Sequence, residues 1–199
     1  MTTEPAAVER RAVERIVVGA YGALTGRRSE PVHFAMMDDT PVGVLGLAAG
    51  GKGLRRLSYV KDEDTFVARL LAEYGDVPVL RSAALDGVRR ALDRYFRGRR
   101  LDFDLAVDLS DLPPFNRLVL DATARIPPGQ VATYSFVASR AGSPKAQRAA
   151  GNALHNNPVA IVVPCHRVLR ADGSLGGYGG GVPIKEWLLA HEGARPATL

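Results

Sequence analysis

The chain has 199 residues, 46% hydrophobic and 24% charged, a balance that lets a globular protein bury a core in one large or two small domains. One cysteine and four histidines exclude an intrachain disulfide framework and argue against a closed structural zinc site, and no apolar run approaches the ~18 residues that span a bilayer. The net charge of +5 is unevenly placed: residues 1–112 carry 17 basic and 17 acidic side chains and residues 113–199 carry 9 and 4, so the second part is expected to meet a polyanion, nucleic acid before others.

Arg10 and Arg11 precede the apolar run 16–24, but Glu4, Glu9 and Glu14 are interspersed and no small-residue cleavage site follows. Residues 1–30 are therefore expected to be a helical N-terminal extension of a cytoplasmic protein, not a secretory signal. Residues 42–47 and 54–60 read as a strand pair joined by Gly50-Gly51-Lys52-Gly53. Asp62 or Asp64 can cap a helix reaching about Tyr74, with Phe66, Leu70 and Leu71 on one face. A second helix is expected over 83–97, its stripe being Leu85, Val88, Leu92 and Phe96, and 101–109 then alternates as a strand. Residues 31–112 thus read as a mixed α/β support domain without a catalytic constellation.

Pro113 and Pro114 mark the boundary to a second domain, 113–199. A helix over 115–126 ends at Pro127-Pro128-Gly129. Ser135 is expected to cap a short helix to Arg140. Gly142-Ser143-Pro144 makes the turn, and a second helix runs from Lys145 to about Asn156, a helix-turn-helix pattern. Ala149, Gly151 and their small neighbours would let a partner approach the second helix closely, with Arg148 its long cationic side chain. Asn156-Asn157-Pro158 breaks that helix, and the apolar run 159–163 is expected to be a strand leading into Pro164-Cys165-His166-Arg167-Val168. A glycine-rich loop, 176–181, surrounds Tyr178, and a last helix covers 183–192.

The chemistry centres on the lone thiol. A cysteine reacts as thiolate, and with a reference pKa of about 8.5 only a few per cent is ionised near neutrality, so Cys165 needs a base or a positive field. His166 and Arg167 stand next to it to supply these. A carboxylate could orient the imidazole, and Asp121, Asp172, Glu186 and Glu192 are the choices in this part of the chain.

Pro164-Cys165-His166-Arg167-Val168 resembles the active-site signature of the O6-alkylguanine-DNA alkyltransferases, or methylated-DNA–protein-cysteine methyltransferases. The resemblance extends without an obvious gap from about Phe115 to Glu192, through V-A-T-Y-S around Tyr134, S-P-K-A-Q-R-A around Arg148, N-N-P at 156–158 and K-E-W-L-L-A-H-E at 185–192. Residues 31–112 resemble the family more loosely, through T-P-V-G-x-L-x-L-A and G-L-R-R-L. The family implies an α+β architecture: a small N-terminal mixed α/β domain, ribonuclease-H-like, and a mostly helical C-terminal domain with a winged-helix-like helix-turn-helix.

It also implies roles. Cys165 is the alkyl acceptor, His166 the base that acts through a water, Glu192 its orienting carboxylate, Tyr134 a donor to guanine N3, and Asn157 the hinge before the reactive cysteine. Arg148 enters the DNA stack behind a nucleotide flipped through the minor groove. Ser135, Lys145, Ala149 and Gly151 belong to the DNA-binding face. Val168, Tyr178 and Gly179 line the guanine pocket; Gly179 stands where some relatives have serine, which an amide contact survives and a hydroxyl contact does not. The expected reaction is one irreversible transfer per molecule, from O6 of guanine and less well from O4 of thymine, with no metal or organic cofactor. The expected partner is double-stranded DNA containing O6-alkylguanine, with no membrane, bound by a monomer that could assemble cooperatively along the duplex. The alternative is a non-catalytic binder that flags alkylated DNA for other pathways; relatives of that type lack the cysteine. A cysteine hydrolase lacks a second, separated histidine with motif support.

Overall fold

The computed structural model describes residues 30–75 and 77–194. Its N-terminal part is a four-stranded sheet of β1 (Val32–Met37), β2 (Leu45–Gly50), β3 (Gly53–Tyr59) and β4 (Val79–Arg81), in the order β3-β2-β1-β4. β1, β2 and β3 run antiparallel, and β4 joins β1 in parallel. Alternation sends Val32, Phe34 and Met36 to one face, where they meet Phe66 and Leu70 of helix α1 (Glu63–Tyr74). The other face carries Ala35, Leu45, Leu47 and Leu57 into the main core, shared with Leu92 and Tyr95 of α2 (Asp86–Phe96) and with the C-terminal helices. Burial on both faces is why β1 does not stand out as an amphipathic strand in the sequence, and β4 is only three residues long.

The predicted strand pair exists with a shifted start. Residues 42–44 belong to the approach, where Gly43 has φ 89°, and pairing begins at Leu45. Gly53 closes the hairpin at φ 133°, where a Cβ would lie 2.5 Å from the Ala106 carbonyl oxygen. Asp62 caps α1 by accepting from Thr65 N at 2.8 Å, but Leu71 is half exposed and lies off the buried stripe. The helix predicted from residue 83 begins as a short 3-10 turn, Ala83–Leu85, capped by Ser82. The strand predicted over 101–109 does not form. Only Val107 makes a bridge, to Leu54, because the segment packs along the edge of β3 through two backbone bonds, Leu54 N to Ala106 O and Asp108 N to Leu54 O.

The C-terminal part is helical: α3 (Pro114–Ala124), α4 (Tyr134–Arg140), α5 (Gln147–His155) and α6 (Val182–His191), with a two-stranded parallel ribbon of β5 (Ala132–Thr133) and β6 (Val168–Leu169). α4 and α5 are the predicted helix-turn-helix, turning at Gly142 with φ 78°. The cap of α4 is Thr133, whose hydroxyl accepts from Phe136 N. Ser135 sits inside the first turn, its hydroxyl bonded to that of Thr133 at 2.8 Å. α5 starts at Gln147, which leaves Lys145 in the turn.

The strand predicted over 159–163 is a buried turn. Val159 bridges to Leu57, Val163 N bonds back to Val159 O at 2.9 Å, and Ile161 takes a left-handed φ of 68°. A β-branched residue in that region costs about 1–3 kcal/mol, supplied here by full burial of Val159 and Ile161. Leu57 N bonds Pro158 O and Ala160 N bonds Leu57 O, so the sheet grips the segment that delivers Cys165. The helix expected over 1–30 lies outside the described residues save residue 30. Among the described residues no helix is long and apolar enough to cross a membrane.

Candidate active site

Cys165 opens a single 3-10 turn, Cys165–Arg167, between the buried turn and β6. Asn157 clamps this approach from the end of α5. Its Nδ2 donates to Val163 O at 2.8 Å and to Cys165 Sγ at 3.2 Å, while its Oδ1 accepts from Val159 N at 3.0 Å. Burial pushes the thiol pKa up. The Asn157 hydrogen bond and the charge of Lys185 pull it down.

His166 is fully buried, and its Nε2 lies 2.9 Å from Glu192 Oε1. Burial lowers the imidazole pKa despite the carboxylate beside it. Burial by itself would raise Glu192, but hydrogen bonds from His166 and Arg167 outweigh it and hold the carboxyl at about 2. Neutral His166 beside an ionised Glu192 must donate from Nε2. Its Nδ1 therefore carries the free lone pair, and among the described residues it has no hydrogen-bond partner.

Arg167 does not serve the thiol. Its Nε and an Nη bind Glu192 at 2.7 and 2.8 Å, and its other Nη donates to Ile126 O. The positive field at sulfur comes from Lys185, buried in α6, whose Nζ donates to the carbonyls of Val168 and Leu175 and whose pKa burial lowers to about 8. Tyr95 of α2 completes the carboxylate shell, donating to Glu192 Oε1 at 2.7 Å. The sequence held a signal for two of these groups. Lys185, Leu188, Leu189 and Glu192 recur at i, i+3, i+4 and i+7, so the stripe that buries the leucines carries both charges inward.

Two cavities meet at Cys165. The smaller, about 140 Å³, is bounded by Tyr134, Gly151, Leu154, Gly177, Tyr178 and Gly179. The larger, about 430 Å³, reaches past Asn157 to β3 and α1. Tyr134 is half-buried. Burial and the nearby cysteine raise its pKa, so its hydroxyl stays protonated as a donor. Tyr178 is held by Tyr59 at the end of β3, the two hydroxyls 2.9 Å apart and the rings edge to face. Gly180 lets that contact form, since a Cβ there would lie 2.7 Å from the Tyr59 ring. The N-terminal part, expected to be support alone, thus contributes Tyr59 and Tyr95.

Three expected site residues sit differently from their predicted places. Val168 is fully buried and lines neither cavity; its carbonyl is held by Lys185. Gly151 turns its Cα toward the Tyr134 ring, 3.8 Å from where a Cβ would stand, and so forms cavity wall. Ser135 is not a cap. Arg148 and Ala149 are exposed on α5, with Lys145 exposed just before it. Of the basic residues counted after 112, Arg167 and Lys185 are buried, so the outward positive charge is smaller than the sequence count.

Residues 32–109 match the ribonuclease-like domain of 6-O-methylguanine DNA methyltransferase, and residues 114–194 match its DNA-binding domain. A methylated-DNA–protein-cysteine methyltransferase of Methanosarcina acetivorans is 36% identical over 163 residues, which is 82% of this chain and 99% of that protein. One of Mycobacterium tuberculosis is 39% identical over 169 residues, 84% and 97% respectively. A crystal structure of the Mycobacterium tuberculosis O6-methylguanine methyltransferase superposes with a TM-score of 0.69 at 36% identity, over 83% of this chain and 96% of that one. Another, of the Mycobacterium tuberculosis protein in complex with DNA, gives 0.68 at 34% identity over 83% and 98%.

Proposed function

Because the chain belongs to the 6-O-methylguanine DNA methyltransferase family, we propose that it repairs DNA by direct reversal, moving the alkyl group from O6 of guanine to Cys165. The observation that carries this reading is the buried Glu192–His166 pair placed next to Cys165 in one 3-10 turn, with Nδ1 of His166 left as a base. The thiol proton passes through one water to His166 Nδ1, and the thiolate displaces the alkyl carbon. The leaving guanine is neutralised by hydrogen bonding from Tyr134, in the cavity that Tyr178 and the Gly179 backbone close. The thioether has no route back to thiol, so each molecule acts once, and the reaction draws on no cofactor. O4-alkylthymine reacts by the same path, less well.

Residues 31–112 act as the supporting domain and 113–199 as the DNA-binding and acceptor domain. The substrate is duplex DNA, entered through the minor groove by α5. Arg148 fills the space of the extruded nucleotide, offsetting part of the few kcal/mol that unstacking costs. Lys145 and Ala149 lie along the same surface. The protein works as a cytoplasmic monomer, with the nucleoid in a bacterium, and several copies can assemble along one duplex.

The test is intact mass with peptide mapping after incubation with excess O6-methylguanine oligonucleotide. One added methylene on the Cys165 peptide, saturating at one per protein and absent from Cys165→Ala, is expected. Unchanged mass with the oligonucleotide still bound would overturn alkyl transfer in favour of lesion flagging.

A further inference from the structure

The larger cavity at Cys165 has a chemistry that methyl transfer does not use. Its wall is formed in part by Arg56 and Ser58 of β3, Arg69 of α1, and Asn156 and Asn157 after α5, and among the described residues no Asp or Glu lines it. Arg56 is 8% exposed and its Nε has no hydrogen-bond partner among the described residues. One Nη is paired with Glu73, which neutralises part of its charge and leaves Nε unserved. Arg69 is exposed and adds a second cation. A buried guanidinium N–H without an acceptor is costly, and a carboxylate is the acceptor that answers both the missing hydrogen bond and the positive charge.

The cysteine belongs to both cavities. With guanine in the smaller one, beside Tyr134, the substituent on the carbon under attack is free to extend into the larger. We infer that the larger cavity selects O6-adducts bearing an anionic substituent, carboxymethyl being the simplest, through Arg69 and Arg56. This rests on the alkyl-transfer reading of Cys165. In the step, the S–C bond forms as the C–O6 bond breaks, and the electron pair stays on guanine. Guanine regains a proton equivalent to the one the thiol gave up, leaving S-carboxymethyl-Cys165 and unmodified guanine. A carboxylate beside the reacting carbon repels an incoming thiolate, so in a neutral cavity the acidic adduct would react more slowly than an uncharged adduct of the same shape. The two arginines reverse that order.

The experiment compares single-turnover rates on oligonucleotides carrying O6-carboxymethylguanine, its neutral isostere O6-carbamoylmethylguanine, and O6-methylguanine, for the full chain and for Arg69→Gln. The exposed site of Arg69 keeps folding out of the comparison; Arg56→Met is the second variant, with methyl transfer as its check on folding. The carboxymethyl rate is expected to match or exceed the carbamoylmethyl rate in the parent, and Arg69→Gln is expected to lower that ratio about five-fold, the scale of a partly exposed ion pair. A ratio unmoved by both variants, or equal slowing of both adducts, would overturn charge selection while leaving alkyl transfer in place. A parent protein that transfers no methyl overturns the alkyl-transfer reading, and this proposal with it.

Discussion

Replacing Glu192 by Gln tests the buried charge file directly. The carboxylate accepts from His166, Tyr95 and two nitrogens of Arg167, all within 2.7–2.9 Å. Holding it at about 2 rather than 4.5 corresponds to about 3 kcal/mol of folding stability at neutral pH. Removing one partner of a buried ion pair costs a similar 3–5 kcal/mol or so, because Arg167 is left charged and unpaired. Glu192→Gln is therefore expected to lose about 3 kcal/mol in urea unfolding at pH 7. The sign of the pH dependence follows from the depressed pKa: the contribution is complete above the unfolded value and fades as pH falls toward the folded one. About 1 kcal/mol of the difference between parent and variant should be gone at pH 4 and about 2 kcal/mol at pH 3. Buried neutral His166 costs further stability below its ordinary pKa; that cost is common to both proteins over the pH range in which the imidazole stays neutral in each, and there the subtraction removes it. A variant as stable as the parent at pH 7, or a difference that widens toward pH 3, would refute this account of the core.

Four further outcomes follow from separate contacts. Lys185→Gln removes the charge that favours the thiolate, so the pH midpoint of alkyl transfer should move upward and transfer at pH 7 slow several-fold; an unmoved midpoint would show that Lys185 only packs. Gly180→Ala drives a Cβ into the Tyr59 ring and should impair transfer, whereas Gly87→Ala, in α2 and outside both cavities, meets open space and should not; equal rates for both would remove Tyr59 from the site. Thr133→Ala should cost about 1 kcal/mol in thermal unfolding as a lost helix cap, and Ser135→Ala less, an order that the reverse result would contradict. Arg148→Ala should slow repair of duplex DNA more than transfer from free O6-substituted guanine, and binding should weaken as salt rises; equal loss on both substrates would deny the side chain a role in flipping.

Cys165 and His166 were readable from the residues, while the choice of Glu192 among four carboxylates came from the resemblance to the alkyltransferases. Cys165 and His166 are adjacent, and the 3.6-residue stripe of α6 places Glu192 on the inner face with Leu188 and Leu189. The helix-turn-helix was equally legible, since a glycine turn between two short helices is local information. Where local signals compete, the reading slipped by a few residues. Thr133 and Ser135 are both able caps, and only the pairing of β5 with β6 decides which backbone is extended at the helix start. Residues 159–163 show why an apolar run cannot declare its conformation: burial is the same for a strand and for a turn, and the grip of Leu57 on Pro158 and Ala160 selects the turn.

Composition, periodicity and motif spacing by themselves determined a mixed α/β first part, a basic helical second part, one candidate nucleophile and its neighbouring base, because those properties are carried along the chain; the α+β architecture of the whole came from the family resemblance. Tertiary structure alone decided which carboxyl-bound cation faces which group. Arg167, two residues from Cys165, is spent on Glu192, while Lys185, twenty residues from Cys165, supplies the field at sulfur. It alone also brought Tyr59, Tyr95 and the arginine-lined wall from the N-terminal sheet and helices to the site. Electrostatic and hydrogen-bond partners are set by distance in space, and a sequence records only distance along the chain.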